Sequence, residues 1–277
     1  MRPEQLWRKA LDHSQRAQAA GALIPLRTEL VELPGLAPFQ MRRLLSQTPK
    51  HLLAGGPKPN PFLPWEPALE LETLGRSHAL ILNKFPVQAG HVLLITQSWQ
   101  AQAGWLTSGD WLAVAHVAAD TGGLWFFNSA AASGASQPHR HLQLLPRHDG
   151  QASCPLDGPF EQQLSGCQPP WPWSYAISRR QDPLGNTDLE ALYRAHAERL
   201  GLGNPANDLA PLHPYNLLFN DRWFVTVRRR LEHCAGFSLN ALGFAGYLLA
   251  TDRSDLVWLE QNGPLNLLRE VASPAIP

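Results

Sequence analysis

The segment Ser133-Gly134-Ala135-Ser136-Gln137-Pro138-His139-Arg140-His141-Leu142-Gln143-Leu144-Leu145 constrains this chain more than any other stretch. A β-strand sends successive side chains to opposite faces. His139, His141 and Gln143 therefore share one face, and Arg140, Leu142 and Leu144 the other. The leucines already supply an apolar face, so the imidazole face is turned toward something polar. The loop ahead of the strand is built from residues that expose hydroxyls and backbone N–H groups, as a phosphate cradle requires.

The bulk sequence limits what that face can serve. With 277 residues the chain can bury a large core, and 44% apolar against 17% charged residues predicts a globular protein. The 23 basic residues cancel the 23 acidic ones, so no global positive field exists to hold a nucleic-acid backbone and any phosphate binding is local. Cys154, Cys167 and Cys234 form no disulfide framework, which predicts a reducing, cytoplasmic setting. The amino terminus lacks the apolar core of a secretory signal, and no apolar run approaches a membrane span. The expected protein is soluble, without nucleic-acid or membrane partners. The sequence is silent on its oligomeric state.

Turn residues and capping signals divide the chain. Residues 3–21 read as a helix stopped at Gly21, and the alternation over 23–33 predicts a strand. Residues 48–67, with Gly55-Gly56-Pro57-Lys58-Pro59-Asn60-Pro61-Phe62, carry too many breakers for regular structure. Apolar runs at 79–83 and 91–96 flank a Pro- and Gly-bearing connection, a long hairpin. Ser108 is the expected N-cap of a helix running to about Thr121. Residues 124–128 read as a strand forming a hairpin with the histidine strand, and 147–172 as an excursion loop. Residues 188–200 predict another helix, and 215–219 with 223–228 a second hairpin across Asn220-Asp221-Arg222. The glycine-punctuated stretch 239–250 precedes a last helix capped by Ser254. Hairpins around one histidine strand, with helices packed on one side, give an α+β antiparallel fold. One domain is expected over 1–277, with its core at about 50–150 and a C-terminal accessory region at about 173–277.

Two rival readings of the histidine face are bland. The imidazoles could be satisfied side chains of a half-buried strand. They could also be zinc ligands, but a zinc site needs a third and fourth donor and no Cys-x-x-Cys occurs anywhere; no protein-bound metal is expected. The chemical reading is nucleophilic attack at phosphorus, with the nucleotidyl group held on imidazole as a phosphoramidate. The attacking nitrogen must be neutral, so the other ring nitrogen should donate to an acceptor. Charge developing on the phosphoryl oxygens then needs fixed donors, each contributing roughly 2–4 kcal/mol; loop amides, Ser136, Gln137 and Gln143 are the candidates.

Gly134-Ala135-Ser136-Gln137-Pro138-His139-Arg140-His141-Leu142-Gln143 resembles the signature of the ATP adenylyltransferase, or diadenosine tetraphosphate phosphorylase, family, a branch of the histidine-triad and galactose-1-phosphate uridylyltransferase superfamily. Leu82-Asn83-Lys84-Phe85-Pro86-Val87 with His91-Val92-Leu93-Leu94-Ile95-Thr96 is similar to that family's central hairpin. Asn60-Pro61-Phe62 with Lys58 resembles its lysine-bearing loop. Tyr215-Asn216-Leu217-Leu218 with Trp223, and Asn240-Ala241-Leu242-Gly243-Phe244-Ala245-Gly246, resemble its accessory region. The resemblance implies a histidine-triad-like antiparallel sheet. It makes His141 the nucleophile, with His139 in the same catalytic group and Gln143 a donor to the transferred phosphoryl. Gly134, Ala135, Ser136 and Gln137 would cradle phosphates with Asn128 beside them. Lys58, Asn83 and Lys84 would contact nucleotide or polyphosphate, and Asn216 a second nucleotide. In one departure, a basic residue expected from the family is Thr251, with Arg253 two positions later.

The amide at 143 separates chemistries within the superfamily. Histidine-triad hydrolases carry a third histidine there and pass the nucleotidyl group to water. An amide transfers no proton and suits an acceptor that is already anionic. Uridylyltransferases share His-x-His-x-Gln, but the missing Cys-x-x-Cys and the match of Asn83-Lys84-Phe85-Pro86 favour the adenylyl branch. The resemblance thus implies phosphorolysis of diadenosine tetraphosphate by phosphate to ATP and ADP, with magnesium or another divalent cation held by substrate oxygens. The alternatives are a dinucleoside polyphosphate hydrolase and a nucleotide sensor without turnover.

Overall fold

The computed structural model describes residues 2–46, 60–182 and 187–275. Lys58 lies outside them, as do residues 48–59 of the expected irregular loop. In chain order the first half forms α1 (Gln5–Ala19), β1 (Thr28–Val31), β2 (Gln40–Leu44), β3 (Glu70–Leu74), β4 (His78–Leu82), β5 (Val92–Thr96), α2 (Ser108–Asp120), β6 (Gly123–Asn128), β7 (His141–Pro146) and α3 (Asp157–Leu164). The second half adds β8 (Tyr175–Arg179), α4 (Thr187–Arg199), β9 (Tyr215–Phe219), β10 (Trp223–Arg228), β11 (His233–Cys234), β12 (Phe237–Ser238), α5 (Ala241–Phe244), β13 (Tyr247–Ala250), α6 (Leu256–Asn262) and α7 (Pro264–Val271).

Eight strands make one sheet in the order β3-β4-β5-β7-β6-β9-β10-β8, every neighbouring pair antiparallel. All three hairpins expected from the sequence are present, and β6 pairs with the histidine strand through Trp125↔Leu144 and Phe126↔Gln143. The region expected as accessory begins inside this sheet, because β8, β9 and β10 are three of its strands. A smaller sheet joins the ends of the chain: β2 pairs antiparallel with β1 and parallel with β13.

The two faces of the large sheet are covered differently. On one face, Ala10 of α1, Trp111, Val114 and Val117 of α2, and Tyr193 of α4 pack on Leu80, Leu94, Leu142 and Leu144. Trp111 is wholly buried, and a fully buried tryptophan contributes about 4–6 kcal/mol of apolar transfer free energy. On the other face, α3, α5, α6 and α7 cover the β6-β9-β10 half through Phe160, Phe244, Leu259 and Leu267. Over β4 and β5, among the described residues, that face carries a small cluster, Phe62 with Ala79, Ile81, Leu93 and Ile95. This quarter, beside β7, receives the histidines.

Local chemistry moves several boundaries. The strand expected at 23–33 is confined to Thr28–Val31. The N-cap of α2 is Thr107 rather than Ser108, because Thr107 and Asp110 form a reciprocal capping box. The helix expected to be the last, α6, is capped by Asp255, whose side chain accepts from Trp258 N, not by Ser254, and a further helix, α7, follows it. The excursion loop contains α3, fixed at its start by Asp157, which accepts from Trp223 Nε1 at 2.7 Å and from Arg222. Asn220 Oδ1 closes the β9–β10 turn by accepting from the backbone N–H groups of Arg222 and Trp223.

Beneath the histidine strand, on the helix-covered face, lies a buried charged group. Arg140 Nη1 sits 3.2 Å from Asp110 Oδ2 and His78 Nε2 3.0 Å from Asp110 Oδ1, while Thr107 donates to Asp110 from both N and Oγ1. Burial alone would push the Asp110 carboxyl up, but His78, Arg140 and Thr107 together outweigh it and hold it below its ordinary value. Arg140 therefore faces away from the imidazoles, and its charge clamps β7 to the start of α2. Asp110→Ala would leave Arg140 buried without a counter-ion. The expected loss is about 3–5 kcal/mol of unfolding free energy, read from urea denaturation; a loss below about 1 kcal/mol would show that the clamp adds nothing.

Candidate active site

His141 is the first residue of β7, and its ring is held from within its own chain. Its Nδ1 lies 2.8 Å from the carbonyl oxygen of His139, so Nδ1 carries the proton and donates it. Nε2 makes no hydrogen bond among the described residues and presents a lone pair. The residue is 3% exposed. Burial pulls its pKa down to about 4, outweighing the opposite pull of the His139 carbonyl, and His139 lowers it further. At neutral pH the ring is uncharged, the state an attacking imidazole needs. Phe62 packs on the ring with centroids 5.4 Å apart. Gln102, buried behind the strand, accepts from His141 N at 2.8 Å and donates to the carbonyls of Asn128 and His141.

His139 shares the face but not the freedom of His141. It precedes the regular strand, in an isolated bridge with Ala101. Its Nε2 is 2.8 Å from the Thr96 carbonyl and 2.9 Å from Thr96 Oγ1. Its Nδ1 is 2.9 Å from Asn60 Nδ2 and accepts from it. Both nitrogens are committed and the side chain is wholly buried. Expected in the catalytic group, His139 is placed as a positioning residue: Asn60 and Thr96 fix it, and its carbonyl fixes the tautomer of His141. Asn60 also ties down Phe62 by accepting from Phe62 N.

Gln143 faces His91, the last residue before β5. His91 Nε2 lies 3.0 Å from Gln143 Oε1, and His91 Nδ1 lies 3.0 Å from Asn83 Nδ2. Burial lowers the His91 pKa to about 4, against the pull of Gln143 and with a smaller contribution from His141. The neutral ring accepts from Asn83 and donates to the Gln143 carbonyl. That chain points the two N–H groups of Gln143 away from His91, free to donate elsewhere. Asn83 donates to His91 and, through Oδ1, accepts from Phe85 N, keeping one amide N–H free of these two bonds. Lys84 Nζ forms an exposed pair with Glu66 Oε2 at 2.9 Å across two loops.

The loop ahead of the strand is tighter than a ring of free amides. Gly134 N donates to Ala131 O and Ala135 N to Ala130 O, so these two amides are not available to a phosphate as expected. Those of Ser136 and Gln137 make no hydrogen bond among the described residues. Ser136 is exposed, whereas Gln137 Oε1 is buried without a partner; such an acceptor needs a donor, which a phosphate oxygen is not. Gly134 is required by its φ of +85° and because a Cβ there would lie 2.5 Å from Asn240 Cβ. Asn128 Oδ1 accepts from Asn216 Nδ2 and Ala241 N, both at 2.8 Å. Asn216 is wholly buried, donates also to Ser133 O, and accepts from Arg229. It is a connector inside the protein and cannot reach a second nucleotide, because no polar atom of it faces outward.

The structure therefore brings together His139, His141, Gln143, Asn83, Asn128, Ser136 and Gln137, and gives several of them work on each other. Sequence reasoning missed His91, Gln102, Thr96, Asn60 and Phe62 as individual contributors. His91, Thr96, Asn60 and Phe62 lie within motif segments, but the partners of His91 and Asn60 stand 52 and 79 positions away. Nothing local marks Gln102.

The antiparallel sheet with helices packed on it is the α+β arrangement anticipated from the sequence. The chain belongs to the Ap4A phosphorylase family: residues 1–162 match the Ap4A phosphorylase N-terminal domain and residues 169–274 the ATP adenylyltransferase C-terminal domain. It is similar to diadenosine 5',5'''-P1,P4-tetraphosphate phosphorylase 2 of Saccharomyces cerevisiae, with 35% identity over 217 residues, 65% of this chain and 64% of that protein. Protein APA1 of the same yeast is 40% identical over 77 residues, 25% of this chain and 24% of that protein. The matched segments thus span less than two thirds of either relative. The crystal structure of yeast Ap4A phosphorylase Apa2 superposes over 100% of both chains with a TM-score of 0.75 at 22% identity, and so shares the fold; Apa2 has also been solved in complex with Ap4A.

Three imidazoles are buried in neutral form, with pKa values near 4 for His91 and His141 and near 3 for His196, which sits between Ser178 and Thr226. As pH falls below 6.5, the ordinary value of the group, the unfolded chain takes up these protons and the folded chain does not. Stability must then fall with acidification. The expected result is an unfolding free energy that declines steadily between about pH 6.5 and pH 4, with a limiting slope of three protons or more, since burial lowers the pKa of His139 too. Urea titrations across that range measure it, and a flat profile would contradict burial of neutral rings.

Proposed function

We propose that the chain catalyses the reversible phosphorolysis of diadenosine tetraphosphate, giving ATP and ADP. The observation carrying this reading is the pairing of a neutral His141, its Nε2 unoccupied, with a Gln143 whose carbonyl is already held by His91. Family membership and the name of the 35% identical yeast relative support the substrate. His141 Nε2 attacks the α-phosphorus of one adenylyl group, the bond to the bridging oxygen breaks, and ATP leaves. A phosphate oxygen then attacks the adenylyl–imidazole, the N–P bond breaks, and ADP leaves with His141 neutral again. Through both steps Nδ1–H stays on the His139 carbonyl, which stabilises the positive charge that the ring acquires.

Gln143 acts in this scheme as a donor to the phosphoryl oxygens, with Ser136 and the free amides of the loop. It supplies no proton and accepts none, which suits an anionic acceptor rather than water. The buried Gln137 Oε1 would accept from a ribose hydroxyl or an adenine amino group. We assign the divalent cation, magnesium or another, to the substrate as its polyphosphate complex, because phosphate oxygens are the hard ligands such a cation takes. Three unpaired cysteines support a cytoplasmic setting.

Incubating the dinucleotide with and without phosphate and resolving the products tests the reading. ATP plus ADP, formed only with phosphate, is the expected outcome. ATP plus AMP without phosphate would mean a hydrolase, and binding without products a sensor. His141→Ala should abolish turnover while leaving substrate binding measurable. Gln143→Ala should lower kcat by about 10²–10³-fold. His91→Ala, which frees the amide to rotate, should lower kcat by about 10–100-fold with little change in KM; unchanged kcat would remove His91 from the positioning chain.

A further inference from the structure

Arg229, just beyond β10, is 1% exposed, yet no carboxylate lies within ion-pair distance of it among the described residues. Its guanidinium is caged by uncharged acceptors. Nε donates to Val271 O at 3.2 Å, Nη2 to Leu231 O at 2.7 Å and Leu239 O at 2.9 Å, and Nη1 to Ser133 O at 3.4 Å and to Asn216 Oδ1. Phe244 faces it with its ring centre 5.2 Å from the guanidinium carbon. Burial lowers its pKa to about 9, and Glu232 raises it slightly, so the charge persists at neutral pH. A buried cation without a counter-ion is costly. Two other buried arginines beside this sheet, Arg140 and Arg180, are matched by Asp110 and Asp188.

What distinguishes Arg229 is where its charge is aimed. Nη1 holds the carbonyl of Ser133, the residue immediately before Gly134, and Asn216, which grips both that carbonyl and Asn128. It therefore lies directly beneath the loop read above as a phosphate site. Among the described residues the imidazoles on the His141 face are uncharged at pH 7, Arg140 lies on the opposite face paired with Asp110, and Lys84 pairs with Glu66. We propose that Arg229 is a positioning residue for polyphosphate: a buried, uncompensated cation that fixes the loop through Ser133 and Asn216 and biases it toward ligands of high negative charge. In the low-dielectric interior its field acts on the ligand with little screening, and the ligand is its missing counter-ion. The inference deepens the proposed function and rests on its reading of the loop.

Calorimetric titration of inorganic phosphate, pyrophosphate and tripolyphosphate, in chelator to keep their charges bare, tests it on the wild type, Arg229→Gln and Arg229→Lys. Arg229→Gln should lose affinity in proportion to ligand charge, from about threefold for phosphate to more than about thirtyfold for tripolyphosphate. Arg229→Lys, which keeps the charge but not the planar fork, should lose a uniform factor and retain the grading. An equal loss for all three ligands in Arg229→Gln would reduce Arg229 to a structural role and overturn the proposal. Should the Gln variant not fold, the wild type decides. Its gain from phosphate to tripolyphosphate should largely survive a rise from about 0.05 M to about 0.5 M salt, because a buried charge escapes screening. Collapse of that gain to within about twofold would place the attraction on surface charges and overturn it equally. Wild-type protein showing the graded response but binding no adenine nucleotide would overturn the nucleotide reading and leave Arg229 in place.

Discussion

One hydrogen bond, from His141 Nδ1 to the carbonyl of a residue two positions back, sets the chemistry that everything else on this face serves. It decides which nitrogen is protonated and therefore which one can attack. The contact is possible only because the chain at His139 and Arg140 has not yet entered the regular strand, which begins at His141. The His139 carbonyl bends into reach while Thr96 and Asn60 hold the His139 ring still. A change that let His139 relax would release the proton to either nitrogen without touching the nucleophile. His139 thus matters for where its backbone is, although the sequence advertises its side chain.

The amide at 143 is prepared by the same logic. A free glutamine side chain presents carbonyl or amino group with equal ease. Asn83 and His91 remove that freedom, but only while His91 is neutral, and burial keeps it so. Two neutral imidazoles on neighbouring strands avoid the repulsion that two imidazolium ions would suffer. The imidazoles beside His141 are consequently uncharged, and the cation proposed to act on a polyanion is Arg229, beneath the loop.

How much of this was legible follows from how far each partner lies in sequence. The histidine face and the three hairpins are local or periodic patterns, and they were readable from residues alone; the helices were expected on one side of the sheet and cover both. The loop was readable as glycine- and serine-rich, but not that Gly134 and Ala135 would spend their amides on Ala131 and Ala130. Asn216 resembled a ligand contact because its neighbours matched a motif. Its burial under Arg229 is a consequence of β9 pairing with β6, through Asn128↔Asn216, and no local signal carries that. The excursion loop hid α3 because its prolines and glycines outweigh an eight-residue helix that depends on Asp157 reaching Trp223.

That β6–β9 pairing also explains why the two family segments, residues 1–162 and 169–274, act as one structure. The nucleophile strand and its loop belong to the first segment. Asn216, Arg229 and Asn240, which hold the loop's shape, belong to the second. Asn128 Oδ1 accepts from both β9 and the start of α5, so a single oxygen joins the loop's flank to two elements of the later segment. Removing the second segment would expose the inner face of β6 and free the Ser133 carbonyl from both of its donors. The first segment then retains every residue that touches the reacting phosphorus in the proposed mechanism, yet lacks the groups that keep the loop in register with His141. The sheet is continuous because the site needs both halves to be rigid at once.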